Sequence, residues 1–340
     1  MSQPTAPETL GSLTDETTVD PNSLASKKIA GKSPMRIAAG RLLKDKIAMA
    51  CAFVILFFVL IAIFAGVISE FFGVNTDTQS PSQFLDVLNG GMPKPEYGPP
   101  NGGFTMDHPF GIAPRTADDN LAYWLYGART SLMIAGGATL VASLVGVVVG
   151  LVAGFMGGIV DRVLSFFVDT FLTVPFLLAA LTIAPILNER FNDSDNYPLI
   201  QKVSLVAVLA MFGWMGTARL IRGEVLSLRE REFVQAARVL GMPTRRILFK
   251  ELMPNLAAPI IISVSLMLPA FVAAEAGLAF LGIGVTSGAS WGLTISFAIT
   301  YFEAYPLYLW QPLIGVVLLV LSLNLLGDAI RDALDPKTRR

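Results

Sequence analysis

Charged side chains are scarce in this sequence. Asp, Glu, Lys and Arg make up 15% of its 340 residues, where a soluble globular chain averages about a quarter. Apolar residues fill the gap, at 53% of the chain with a mean hydropathy of +0.60. That balance excludes an ordinary soluble domain and points to a membrane protein. A net charge of −1 offers no basic surface for nucleic acid. The single cysteine, Cys51, excludes a disulfide within the chain. The single histidine, His108, excludes a multi-histidine metal site and reads as an ordinary loop residue. No Ser/His/Asp set and no Glu/His metal cluster is found. The nearest approach to a P-loop is SKKIAGKS at 26–33, where Ser26 takes the first glycine position and no strand precedes it. This chain is therefore not expected to be an enzyme, and a nucleotide that drives it must be bound by a partner.

What the sequence does have is long apolar runs. A bilayer core of about 30 Å needs about 20 mostly apolar helical residues. Six stretches qualify, at roughly 47–69, 130–156, 163–187, 202–221, 257–285 and 307–327. The fifth is long enough to tilt or to kink at Pro269. Orientation follows the Lys/Arg bias. With both termini in the cytoplasm, 20 of the 25 basic residues fall on the inner side and 5 on the outer. The Pro/Ser/Thr- and acid-rich start of the chain reads as a disordered tail. The outer loop at 70–128, rich in Pro, Gly and Asn, is too long for a turn and reads as functional or partly disordered.

Three features stand out against this background. Gly146, Gly150, Gly154 and Gly158 recur every four residues in the second span. That spacing lets another helix approach closely along one face. Asp169 and Glu275 lie inside spans. Each costs about 2.5–3.5 kcal/mol at the membrane centre on insertion scales, so each should face protein or water. They read either as an ion relay, the mark of an ion-coupled secondary transporter, or as hydrogen-bonded structural or pathway carboxylates. No basic residue inside the spans offers itself as their partner.

The third feature is a charged segment at 222–255 between spans four and five. Val225, Leu226 and Leu228 begin an apolar face that Phe233, Ala236, Ala237 and Leu240 continue at helical spacing. Arg229, Glu230, Arg231, Glu232 and Arg238 supply the polar face. Gly241 is placed to end this helix in a left-handed turn, and Pro243 to open a second one. That second helix, from Thr244 to Met253, is expected to stop at Pro254. The pair reads either as interfacial helices lying on lipid or as a docking knob for a cytoplasmic protein.

The words QAARVLG and KELMP in this segment resemble the cytoplasmic signature loop of ABC-importer membrane subunits. Gln235, Ala236, Ala237 and Gly241 match its first half, with Gln in place of Glu, and Pro254 matches its end. Glu251 and Met253 stand where Ile and Leu are usual. The blocks LYGARTSL, AGFMGGIVDRVL, AEAGLAFLGIGV, SWGL and LNLLGDAIRDALDP are similar to the second membrane subunit of the dipeptide/oligopeptide branch. The likeness covers about 35–66 and 108–337.

The resemblance implies an all-α, six-span type I importer permease with both termini cytoplasmic. It divides the chain into a tail at 1–34, a basic segment and first span at 35–69, the outer loop at 70–128, a permease core at 129–328 and a C-terminal tail at 329–340. It also implies partners: a related second permease, two ATPase subunits that bind ATP and Mg, and an extracytoplasmic solute-binding protein, all in a lipid membrane. No cofactor would be bound by this chain. Glu232 to Gly241, with Arg238, Arg245 and Arg246 supplying charge, would dock on an ATPase.

Overall fold

The structure, a computed structural model, describes residues 34–76, 81–98, 105–286 and 288–335. The P-loop-like stretch, and the 1–34 tail apart from Pro34, lie outside the described residues. A short helix α1 (Pro34–Leu42) precedes α2 (Lys46–Phe72), the first apolar span. Asp45 starts α2 by accepting from the backbone N–H of Ile47 and Ala48, and Gly73 ends it in the left-handed region. The segment that follows α2 carries α3 (Pro81–Phe84) and a small hairpin of β1 (Leu85–Asp86) and β2 (Met92–Pro93). The helices α4 (Asn120–Met156), α5 (Gly158–Leu172), α6 (Phe176–Arg190) and α7 (Tyr197–Arg229) follow. Then come α8 (Glu232–Val239), α9 (Thr244–Arg246), a π-helical stretch Ile247–Leu252 and α10 (Met253–Phe280). The chain ends with α11 (Trp291–Ala298) and α12 (Pro306–Leu334).

Among the described residues, five helical segments are each long and apolar enough to cross a membrane: α2, α4, α7, the continuous run Thr244–Phe280, and α12. The expected third span, 163–187, is not one helix. It is α5 and α6, bent by 85° where Thr173, Val174 and Pro175 leave the helical path. Proline removes an N–H donor and clashes with the preceding turn, which accounts for the break.

The α4–α7 packing shows that the two pieces still make one crossing. Gly137 faces Val206, Gly146 faces Thr217, Gly150 faces Ile221 and Gly154 faces Val225. These positions rise together, so α4 and α7 run parallel. Parallel neighbours require the chain between them to recross the same thickness, and α5 with α6 supplies that return. By contrast α7 and α10 are antiparallel: Gly213 meets Phe271, and Thr217 Oγ1 lies 2.7 Å from Ser263 Oγ.

The glycine seam is closed to side chains. A Cβ at Gly146 would sit 2.7 Å from the Trp214 carbonyl, one at Gly150 2.6 Å from the Ala218 carbonyl, and one at Gly154 2.8 Å from Val225 Cβ. Gly158 does not belong to it. It opens α5 at φ +60° with nothing near its Cβ position, because α4 has already ended at Gly157.

An aromatic cluster ties the other helices to this pair. Trp291 is fully buried and donates to the Trp124 carbonyl at 2.9 Å; Trp124 donates to the Gln311 carbonyl at 3.1 Å; Phe58 packs edge-on to Trp291. This joins α2, α4, α11 and α12. At the opposite end, α1 packs against α12 and, with the start of α10, lines a shared groove. Both described chain ends therefore lie on one face.

The segment between α2 and α4, expected as a loop at 70–128, spans 73–119, and its described part is folded. His108 is not an ordinary loop residue. It is buried, with Nδ1 2.6 Å from Asp119 Oδ2, and Phe84 and Tyr97 meet its ring edge-on. Asp119 Oδ1 also caps α4 through the Ala122 N–H.

Gly150→Leu is expected to pry α4 from α7. Overpacking a closed contact costs about 1–3 kcal/mol, read as a lower unfolding temperature of the detergent-solubilised protein. Gly216→Ala, on α7 but with open space at its Cβ position, should leave that temperature unchanged.

Candidate functional site

The segment singled out by its charge forms a helix braced on one side and bare on the other. Val234 and Ala237 of α8 are buried against Ile221 and Val225 of α7, Val147 and Leu151 of α4, and Ile247, Leu252 and Leu256 at the base of α10. The other side presents Phe233 and Ala236, and then Val239 and Leu240, which are 88% and 82% exposed. Ala237 thus faces this chain's own core, not a docking surface, while Ala236 lies on the open face. Glu232 and Gln235 are exposed; Gln235 Nε2 donates to the Glu230 carbonyl at 3.3 Å. The Arg238 guanidinium lies 5.0 Å from the centre of the Phe155 ring on α4, a cation–π contact.

Gly241 ends the helix as its position predicts. Its φ is +71°, Met242 N–H reaches the Ala237 carbonyl, and Gly241 N–H reaches that of Arg238. This is the paired Schellman arrangement, which needs a residue at ease in the left-handed region. Pro254 departs from expectation. It stops nothing: it is the second residue of α10, and the helix runs unbroken from Thr244 to Phe280. The π-helical stretch just before it widens the turn where proline would crowd the preceding carbonyls. At about 1.5 Å per residue, this 37-residue run carries the α8 contact from one end of the protein to the other.

The two intramembrane acids have different surroundings. Glu275 is fully buried and accepts from Ser131 Oγ of α4 at 2.5 Å and from the Oγ of Ser290, the residue just before α11, at 3.0 Å. It braces three helices. Asp169 on α5 is exposed and does have a basic partner, contrary to the sequence reading: Arg219 Nη2 of α7 lies 2.5 Å from its Oδ1. Sequence reading places Arg219 with the cytoplasmic basic residues, and a contact across 50 positions leaves no local pattern. A second pair, Arg222 bidentate on Asp161, links the same helices. Arg229 adds a bond to the Gly154 carbonyl at 3.4 Å. The two acids share no partner, so the ion-relay reading gains no support. Among the described residues no group of three or more His, Cys, Asp or Glu is arranged to hold a metal.

These features define a multi-pass α-helical membrane subunit whose one end carries a braced, outward-facing helix. Its sequence settles the family. Residues 146–340 match the family described as binding-protein-dependent transport system inner membrane component, and residues 33–85 match the N-terminal TM domain of oligopeptide transport permease C. The oligopeptide transport system permease protein OppC of Bacillus subtilis is 31% identical over 94% of this chain and 95% of its own length. OppC of Escherichia coli K12 is 31% identical over 92% and 94%, and that of Mycobacterium tuberculosis H37Rv 37% identical over 65% and 73%. The chain belongs to the binding-protein-dependent transport system inner membrane components, the ABC-importer permeases, and is a multi-pass protein of the cell membrane.

Bracing and relay roles for Glu275 differ in one substitution. Glu275→Gln removes the ionisable group but keeps an acceptor for the serines; uptake and unfolding temperature should both hold. Ser290→Ala, which takes one donor from a fully buried carboxylate, should lower stability by about 1–3 kcal/mol, measured by thermal unfolding in detergent.

Proposed function

We propose that this chain is one of two permease subunits of an ATP-driven peptide importer, and that α8 is the element through which partner ATPases act on it. The observation that carries the proposal is the two-sidedness of α8, pinned by Val234 and Ala237 and bare at Val239 and Leu240. A surface helix exposing two aliphatic residues so fully fits a partner's groove, and relatives matching more than nine-tenths of the chain are peptide permeases. ATP and Mg belong to two partner subunits. A related permease completes the pathway, and an extracytoplasmic binding protein delivers the solute.

The cytoplasmic side is the end carrying α8 and both described chain ends, in line with the basic-residue bias. Closure of the ATPases on ATP pushes α8. The buried cluster beneath it passes the push to α7, α4 and α10 together, because these share one core. The glycine seam keeps α4 and α7 moving as a single body. ATP shifts the inward- and outward-open populations only as far as it binds the closed ATPase state better. The Arg238, Arg245 and Arg246 side chains meet acidic groups on the ATPase surface. Gly241 holds the turn, with Glu232, Gln235 and Ala236 at the contact.

Purification of the tagged chain in mild detergent is expected to bring a second permease and P-loop ATPases with it, along with ATP hydrolysis. Leu240→Asp, at an exposed site, should leave membrane insertion intact and reduce recovered ATPase at least about tenfold, the equivalent of about 1.4 kcal/mol. Gly241→Pro should abolish uptake. A chain that purifies alone, without hydrolysis, overturns the proposal.

A further inference from the structure

The Asp169–Arg219 pair is in an unusual place. Both side chains are about 60% exposed, at 61% and 60%, on the outward surface of α5 and α7. Around them that surface is apolar, with Phe166, Phe167, Phe171 and Leu220 also exposed. The acyl chains of lipid make a poor neighbour for two charges, so this patch faces water or protein.

Its neighbour shows what a fixed brace looks like. Asp161 receives both ends of the Arg222 fork and a further bond from Ser165 Oγ at 3.1 Å, and is much less exposed. Asp169 and Arg219 share a single contact. Free carboxylate lone pairs and guanidinium N–H groups remain on each. A cavity of about 180 Å³ opens beside them, lined among others by Gly150, Ser165, Ala218 and Arg222. Its floor is therefore the closed α4–α7 seam, a rigid mount.

We propose that Asp169 and Arg219 are a solute-contact site on the translocation path, where the pair opens to receive the charged groups of a peptide. This deepens the peptide-importer reading and rests on it. A peptide carries an ammonium and a carboxylate and needs a partner for each once it leaves bulk water. Asp169 takes the cationic group and Arg219 the anionic one; with the path empty, they neutralise each other. The exchange leaves net charge unchanged. Because binding must first break an existing pair, the site stays weak, as a site that must release its cargo requires.

The test uses the complete complex in proteoliposomes with its binding protein, and compares transport of Ala-Lys-Ala with that of Ala-Glu-Ala. Asp169→Asn leaves Arg219 unpaired and should lower the Lys-to-Glu rate ratio about tenfold relative to wild type; Arg219→Gln should raise it by a similar factor. Asp169→Glu and Arg219→Lys, which keep the charges, should hold the wild-type ratio. Unchanged ratios in both neutral variants, with or without slower transport, or failure of those variants to assemble, would assign the pair to bracing or to contact with the second permease and overturn the inference. A wild-type complex that hydrolyses ATP but moves neither peptide would instead overturn the peptide reading, and the inference with it.

Discussion

The parallel contact of α4 and α7 is the constraint on which the rest of this structure depends. Gly146, Gly150 and Gly154 bring two backbones so close that a Cβ at any of them would lie under 3 Å from a neighbouring atom. Parallel helices cannot be joined by a simple turn. The chain must return between them, and it does so through the bent α5–α6 pair. With α7 fixed in direction, α8 emerges at the end where α4 stops, and α10 starts back from beneath it. Topology, the position of the exposed helix and the shared core under it all follow from that contact.

The sequence shows this framework well, because its signals are local and repetitive. Apolar length marks the spans, and a four-residue glycine period marks the seam. A glycine after an amphipathic stretch marks the turn at Gly241. It does worse where the outcome depends on what a residue meets. Gly158 keeps the seam's period, but α4 ends two residues before it, at Met156. Pro254 has the look of a helix stop, yet proline near a helix start costs little, and the preceding wide turn makes room for it. Hydrophobic periodicity puts Ala236 and Ala237 together, while adjacent helical residues point about 100° apart, so only one can face out. The partners of Asp169 and His108 arrive from other parts of the chain and become visible once packing is known.

The buried and exposed polar groups divide the work. Glu275 and the His108–Asp119 pair are enclosed, satisfied by specific neighbours, and hold helix ends in register. Arg222 with Asp161 fixes α5 to α7 near the end that carries α8. Among the groups left open are those on α8 and the exposed pair Asp169 and Arg219. Interior polarity here secures a rigid frame, and outward polarity and outward apolar surface are available to partners and cargo.

The wide turn at Ile247–Leu252 has a further consequence. Ile247 and Leu252 are both buried in the cluster under α8, five positions apart. In a regular α-helix, residues five apart point about 140° away from each other. A turn closed by i→i+5 bonding returns five residues to nearly the same side. The rod that continues as α10 therefore changes rotational phase at its base. Its first turns are registered to the exposed helix, and the turns above Leu256 to the membrane helices, so one continuous segment serves two packing partners whose faces would otherwise be out of step.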